Sequence, residues 1–219
     1  MTDLQMRLDN LLLREAPSLA KVLRPPASSA ELDAAERELG ARLPDDVREA
    51  YLWHNGQETH YQVHEGQDTQ WKRHPDFFAG FAWNSLEEVL RCWRLNNDCL
   101  DGLLRDYGPE QDRLVSANQR VRSDWWNPAY IPIARSNTGD CLCIDLEPGP
   151  VGSVGQMIEW FDENSGDEHP LIAVTLRSHL QDLAGRLESE TLKFSDEMNC
   201  WVEAPSGREV LNGGSWSMS

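Results

Sequence analysis

Cys141 and Cys143, one residue apart, are the pair in this sequence that most invites metal or redox chemistry. Structural zinc usually takes paired cysteines with about two residues between them, and a second pair is missing. The two thiols therefore read as small side chains packed beneath a helix. His60 and His64 are four apart and could share an ion with His54 or His74 if their segment were helical. The surrounding sequence is polar and contains glycine, so they read as surface histidines. Gly149-x-x-Gly152-x-x-Gly155 lacks the Lys-Ser/Thr ending of a phosphate loop and the strand-loop-helix setting of a dinucleotide site, which makes these turn glycines. Ser178-His179 sits inside a helical pattern, without the sharp elbow that presents a serine nucleophile, and reads as a helix-surface pair. No catalytic constellation, metal site or cofactor site is expected.

Recognition chemistry is better represented. Asp162, Glu163, Asp167 and Glu168 surround Asn164-Ser165-Gly166 in a loop between two strands. With 37 acidic against 20 basic side chains the net charge is -17. Such a surface raises the encounter rate with a basic protein and rejects like-charged competitors. It also argues against nucleic acid, which is bound by clustered cations that release its counterions. Nine tryptophans supply aromatic anchors. Trp53, Trp93 and Trp160 fall on patterned elements and are expected in the core, whereas Trp71, Trp125 and Trp126 lie in irregular sequence and are expected to be exposed; Trp201 and Trp216 fit neither set. The expected partner-binding residues are Asp162, Glu163, Asp167, Glu168, Trp71 and Asp140.

The elements that must carry these residues follow from periodicity and caps. Leu4, Leu8, Leu11 and Leu12 share a helical face, and Pro17 ends that pattern or restarts it as a short turn. Ser28 and Glu31 have capping-box spacing before Leu32, Ala35 and Leu39, with Gly40 as the stop. Pro44-Asp45-Asp46 opens another helix, with Val47, Ala50, Tyr51 and His54 inward. Residues 57–75 lack apolar periodicity and read as a loop or insertion. The aromatic run 77–83 reads as a strand. Ser85 and Glu88 repeat the capping-box spacing ahead of Leu86, Val89, Leu90, Trp93, Leu100 and Leu104, and Gly108-Pro109 breaks that long helix. A meander follows over 130–134, 141–146 and 156–161, with 171–174 as a fourth strand. In its middle strand Leu142, Ile144 and Leu146 face the core, and Cys141, Cys143 and Asp145 face the other way. Thr175 caps a last helix carrying Leu176, Leu180, Leu183 and Leu187. Beyond Glu190 the pattern defines no element, and the end reads as a frayed tail.

At 219 residues the chain reads as one domain able to bury about 70% of its unfolded surface. Five scattered cysteines do not make a disulfide framework. No apolar run is long enough to cross a membrane, and Asp3 and Asp9 stand where a signal peptide would carry cations, so the expected location is cytoplasmic.

Several pieces recur in the order of a known family: Ser28 with its capped helix, Leu43-Pro44 through Tyr51 to His54-Asn55-Gly56, Asn84-Ser85-Leu86-Glu87-Glu88, Trp126-x-x-x-Tyr130-Ile131-Pro132-Ile133-Ala134, Gly139-Asp140, Ile144-Asp145 and Gly155-Gln156. Over about residues 28–187 the chain resembles the SUKH superfamily, the Smi/Knr-like group that includes bacterial toxin-immunity proteins and fungal cell-wall regulators. That resemblance implies an α+β fold: a central antiparallel β-sheet of four to six strands, packed by N-terminal, middle and C-terminal helices. It also implies a surface for protein partners and no catalytic centre. Because the chain shows no long flanks of the fungal kind, the sequence reading prefers an immunity protein that neutralises a toxin domain encoded by a neighbouring gene. The alternative is an intracellular regulatory scaffold with no toxin partner. The insertion at 57–75 and the extension over 190–219 match no family pattern, and are where partner specificity is expected.

Overall fold

A computed structural model describes residues 2–65, 68–108, 119–122, 124–161 and 169–210. Four helices come first: α1 (Asp3–Glu15), α2 (Pro17–Ala20), α3 (Ser29–Leu39) and α4 (Asp45–Trp53). The expected Ser28 box and Gly40 stop are in place, with the Ser28 hydroxyl accepting from the Glu31 amide, the Glu31 carboxylate accepting from the Ser28 amide, and Gly40 left-handed at φ 67°; of the Ser85–Glu88 box only the Ser85 hydroxyl's half forms, the Glu88 carboxylate turning to Arg91. Residues 57–75, expected as a loop or insertion without regular structure, carry a hairpin of β1 (His60–Glu65) and β2 (Asp68–Arg73). Both of its faces are largely solvated, so no apolar alternation announces it.

The central sheet is antiparallel, in the order β3 (Ala82–Trp83), β4 (Tyr130–Arg135), β5 (Cys141–Asp145), β6 (Gln156–Trp160) and β7 (Leu171–Ala173). The aromatic run contributes a strand of only two residues, because Phe78 and Phe81 bond to each other across a tight turn. The long helix α5 (Leu86–Tyr107) leads from β3, and α6 (Leu176–Glu188) follows β7 behind a Thr175–Ser178 capping box.

Both faces of the sheet are covered. Ile131, Ile133, Leu142, Ile144 and Met157 join one core with residues of α1, α3, α4 and α6. Tyr130, Cys141, Cys143, Ile158 and Trp160 join a second core with Leu100 of α5, Val121 and Trp126. Trp126, expected at the surface, is fully buried and donates its Nε1–H to Asn97 Oδ1 at 2.9 Å; Trp125 is half-buried. An indole loses little by leaving water when its single N–H finds an acceptor, and irregular backbone conceals this from periodicity. Trp53 and Trp160 are buried as expected, while Trp93 is partly exposed.

The segment after Glu190 also departs from expectation. It forms a second antiparallel sheet of β8 (Leu192–Ser195), β9 (Cys200–Glu203) and β10 (Arg208–Glu209). Trp201 from this sheet is 1% exposed in the main core, and its indole donates to the Phe77 carbonyl at 3.0 Å. His179, expected on a helix surface, is buried against Phe78, with ring centroids 5.6 Å apart. Desolvation of the charged form holds its pKa down to about 4.

Candidate functional site

The residues that carry the family resemblance form joints of the scaffold. The Tyr51 hydroxyl donates to the Asn84 carbonyl at 3.1 Å, and Asn55 Oδ1 accepts from the Leu86 amide at 2.9 Å, fastening α4 to the start of α5. Gly56 between them has φ 71°, and a Cβ there would lie 2.5 Å from the Asn84 carbonyl carbon. Asp145 and Gln156 form a second joint: the Gln156 amide donates to Asp145 Oδ2 at 2.9 Å and to the Arg120 carbonyl at 2.8 Å, while Asp145 Oδ1 accepts from the Glu147 amide at 3.0 Å. Burial lifts the Asp145 carboxyl to about 6 against the lowering effect of these hydrogen bonds. Gly152 belongs to the same joint, since a Cβ on it would fall 2.2 Å from the Arg120 carbonyl oxygen. These close approaches explain the residue types without any ligand.

Chemistry left facing outward gathers elsewhere. The β1–β2 hairpin, the first turns of α5 and the β4–β5 turn enclose a polar cleft of about 340 Å³. Arg73, Arg91 and Arg135 line it against a single acid, Glu88. Arg73 pairs with Asp76 at 2.8 Å and also donates to Asn137, and Arg91 pairs with Glu88 at 2.6 Å. Among the described residues Arg135 has no carboxylate partner; its guanidinium lies 4.0 Å from the Cys92 sulfur. Burial pushes that thiol's pKa up, which keeps it neutral.

The root of the hairpin is fixed by one side chain. Gln57, buried beneath it, donates to the Pro75 carbonyl at 2.7 Å and accepts from the Phe77 and Trp83 amides, each at 2.9 Å. In the hairpin register His60 faces Arg73 and Gln62 faces Trp71, so all four share one side of the ribbon. Trp71 is 65% exposed beside the cleft.

Of the six expected partner-binding residues, the structure brings Trp71 and Asp140 to this region. Asp140 closes the β4–β5 turn, its carboxylate accepting from Thr138 Oγ1 at 2.5 Å. Asp162, Glu163, Asp167 and Glu168 lie outside the described residues. Sequence reading missed the three arginines because they come from separate elements, 18 to 62 positions apart, each a common solvated residue in its own element. Of the histidines, His54 Nδ1 lies 2.8 Å from the Arg24 carbonyl oxygen, His74 packs on Tyr61, and His60 Nδ1 lies 3.0 Å from Thr59 Oγ1, while the His64 side chain lies outside the described residues. Among the described residues no group of three His, Cys, Asp or Glu side chains is placed to hold a metal ion. No described helix is long and apolar enough to cross a membrane.

A five-stranded antiparallel sheet with helices on both faces, fastened through these joints, makes an α+β scaffold. The model of the SMI1 / KNR4 family (SUKH-1) matches residues 26–182, and the chain belongs to that family. It is 30% identical, over 60% of its length, to a quarter of the fission yeast Schizosaccharomyces pombe "Cell wall biosynthesis/cell cycle regulator smi1". It is 25% identical to the Saccharomyces cerevisiae "Cell wall assembly regulator SMI1", covering 65% of this chain and 32% of that protein. A "KNR4/SMI1 homolog" of Kluyveromyces lactis is 24% identical over 88% of this chain and 44% of its own length. The chain thus spans less than half of each of these relatives, and a comparison of flanks does not separate the fungal from the bacterial reading.

Proposed function

We propose that this chain is a cytoplasmic regulatory scaffold of the cell-wall-regulator type, which acts by holding protein partners and catalyses no reaction. The observation that carries the reading is the kinship: the family match covers most of the chain, and the relatives above are named for cell-wall assembly and biosynthesis. The site geometry supports it. The shared motifs are used up in fastening the sheet to its helices, which leaves the hairpin and cleft as surface free for partners. The toxin-immunity reading was preferred on flank length, which does not favour it over the scaffold.

A chimera tests the proposal. This chain would replace the matching quarter of the fission yeast smi1 protein, in cells lacking that protein and challenged with a wall-perturbing dye. Recovery of dye resistance is expected. Failure of a well-expressed chimera, together with protection of cells against a toxin encoded beside this gene, would overturn the scaffold reading in favour of immunity.

A further inference from the structure

The cleft runs against the charge of the rest of the molecule. In a chain of net charge -17, three arginines from three different elements converge on one polar cavity whose lining includes one acid, Glu88, with Asp76 paired to Arg73 and Asp140 held by the Thr138 hydroxyl at its edge. Arg73 is half-buried and held in place by Asp76 and Asn137, so its guanidinium is fixed before any ligand arrives. Arg135 reaches the cavity with its guanidinium 4.0 Å from the neutral Cys92 sulfur and, among the described residues, no carboxylate paired to it. Arg91 is 53% exposed, and its bond to Glu88 is an exposed pair three positions along a helix. Such pairs contribute about 0–1 kcal/mol, so Arg91 can exchange Glu88 for a stronger anion at little cost.

We propose that this cleft binds a phosphomonoester carried on an extended segment of a partner protein, and that Trp71 receives an apolar side chain of the same segment. The inference rests on the scaffold reading above and names the chemistry of its partner. A single carboxylate is satisfied by one bidentate arginine, whereas a phosphomonoester presents three acceptor oxygens and nearly two negative charges, matching several guanidinium groups at once. A nucleic acid carries the same group but repeats it along a polyanion, which the surrounding acidic surface repels. One phosphorylated side chain meets only the local field of the cleft. Trp71 lies two residues from Arg73 on the same side of the hairpin, about 7 Å away along the strand, and is 65% exposed. A side chain about two positions from the phosphorylated residue spans that distance when the bound segment is extended.

The test uses the full chain and a library of phosphoserine and phosphothreonine peptides randomised on both sides, beside the same library unphosphorylated and inorganic phosphate alone. Enrichment of phosphorylated peptides with an apolar residue about two positions from the phosphate is expected. Selected peptides should lose tenfold or more in affinity in Arg135→Ala and in Arg91→Ala, and Trp71→Ala should abolish the apolar preference while sparing phosphate dependence. Arg91 is exposed on a helix, so its variant folds even if the Arg135 variant does not. Equal binding of both libraries would overturn the proposal, as would affinity unchanged in Arg91→Ala. Inorganic phosphate binding as tightly as the peptides would also overturn it, by showing a small-anion site. If these results go against the proposal while the chimera restores dye resistance, the scaffold reading stands and only its partner chemistry falls.

Discussion

Glu159 offers the sharpest measurement of how the sheet tolerates charge. It lies on β6, 3% exposed and paired across the ladder with Leu142, and burial, with a smaller contribution from Asp140, lifts its carboxyl from 4.5 to about 7. The folded chain therefore binds this proton more tightly than the unfolded chain. That stabilises the fold in full below pH 4.5, and the stabilisation is lost as pH rises through 7. Between pH 5 and 8, above the sequence pI of 4.6, the loss comes to about 2.5 kcal/mol. Glu159→Gln has no proton to lose, so the variant should gain about 2.5 kcal/mol relative to the parent across that range. His179 works in the opposite direction, since its lowered pKa removes stability as pH falls from 6.5 toward 4, and Asp145, raised to about 6, adds its own slope. Both are present in each protein and cancel in the difference. Urea denaturation of parent and variant at half-unit pH steps, with slopes checked for constancy, reads that difference directly. A difference flat to within about 0.5 kcal/mol would refute the argument, because it would mean the carboxylate keeps its water.

Two further substitutions test the scaffold. Gly56→Ala forces a side chain onto a backbone at φ 71° and drives its Cβ to 2.5 Å from Asn84, so a loss of about 2–4 kcal/mol is expected by urea denaturation; a loss below about 1 kcal/mol would show that the joint yields. Trp201→Ala should cost about 3–5 kcal/mol, as for a core aromatic, whereas Trp71→Ala should stay within about 0.5 kcal/mol. Similar small effects of both would return the C-terminal sheet to the status of a tail.

How legible the fold was depended on whether an element reports its own burial. Helices α1, α3 and α6 show apolar faces within a few residues, α3 and α6 behind the caps Ser28 and Thr175, and the structure keeps both caps. The central strands were readable for a similar reason, since turn glycines bracket short apolar runs. The second buried face of β5 was half visible: Cys141 and Cys143 read as packed, but Asp145 does not announce that Gln156 will accompany it into the interior. The β1–β2 hairpin has solvated faces and therefore no period, and Trp126 and Trp201 lie in segments too short or irregular to show one. The cleft was least legible, because convergence of Arg73, Arg91 and Arg135 is a property of the folded chain, and no window of sequence contains all three.

The bonds made by Gln57 have an engineering consequence. One side chain closes off three backbone groups at the base of the hairpin, so residues 60–73 project from a foundation that does not depend on their own identity. Exchange of the exposed side chains of residues 60–62 and 70–72 would leave those three bonds in place. The hairpin is a replaceable cassette, where a protein engineer could graft a foreign recognition loop while leaving the foundation intact.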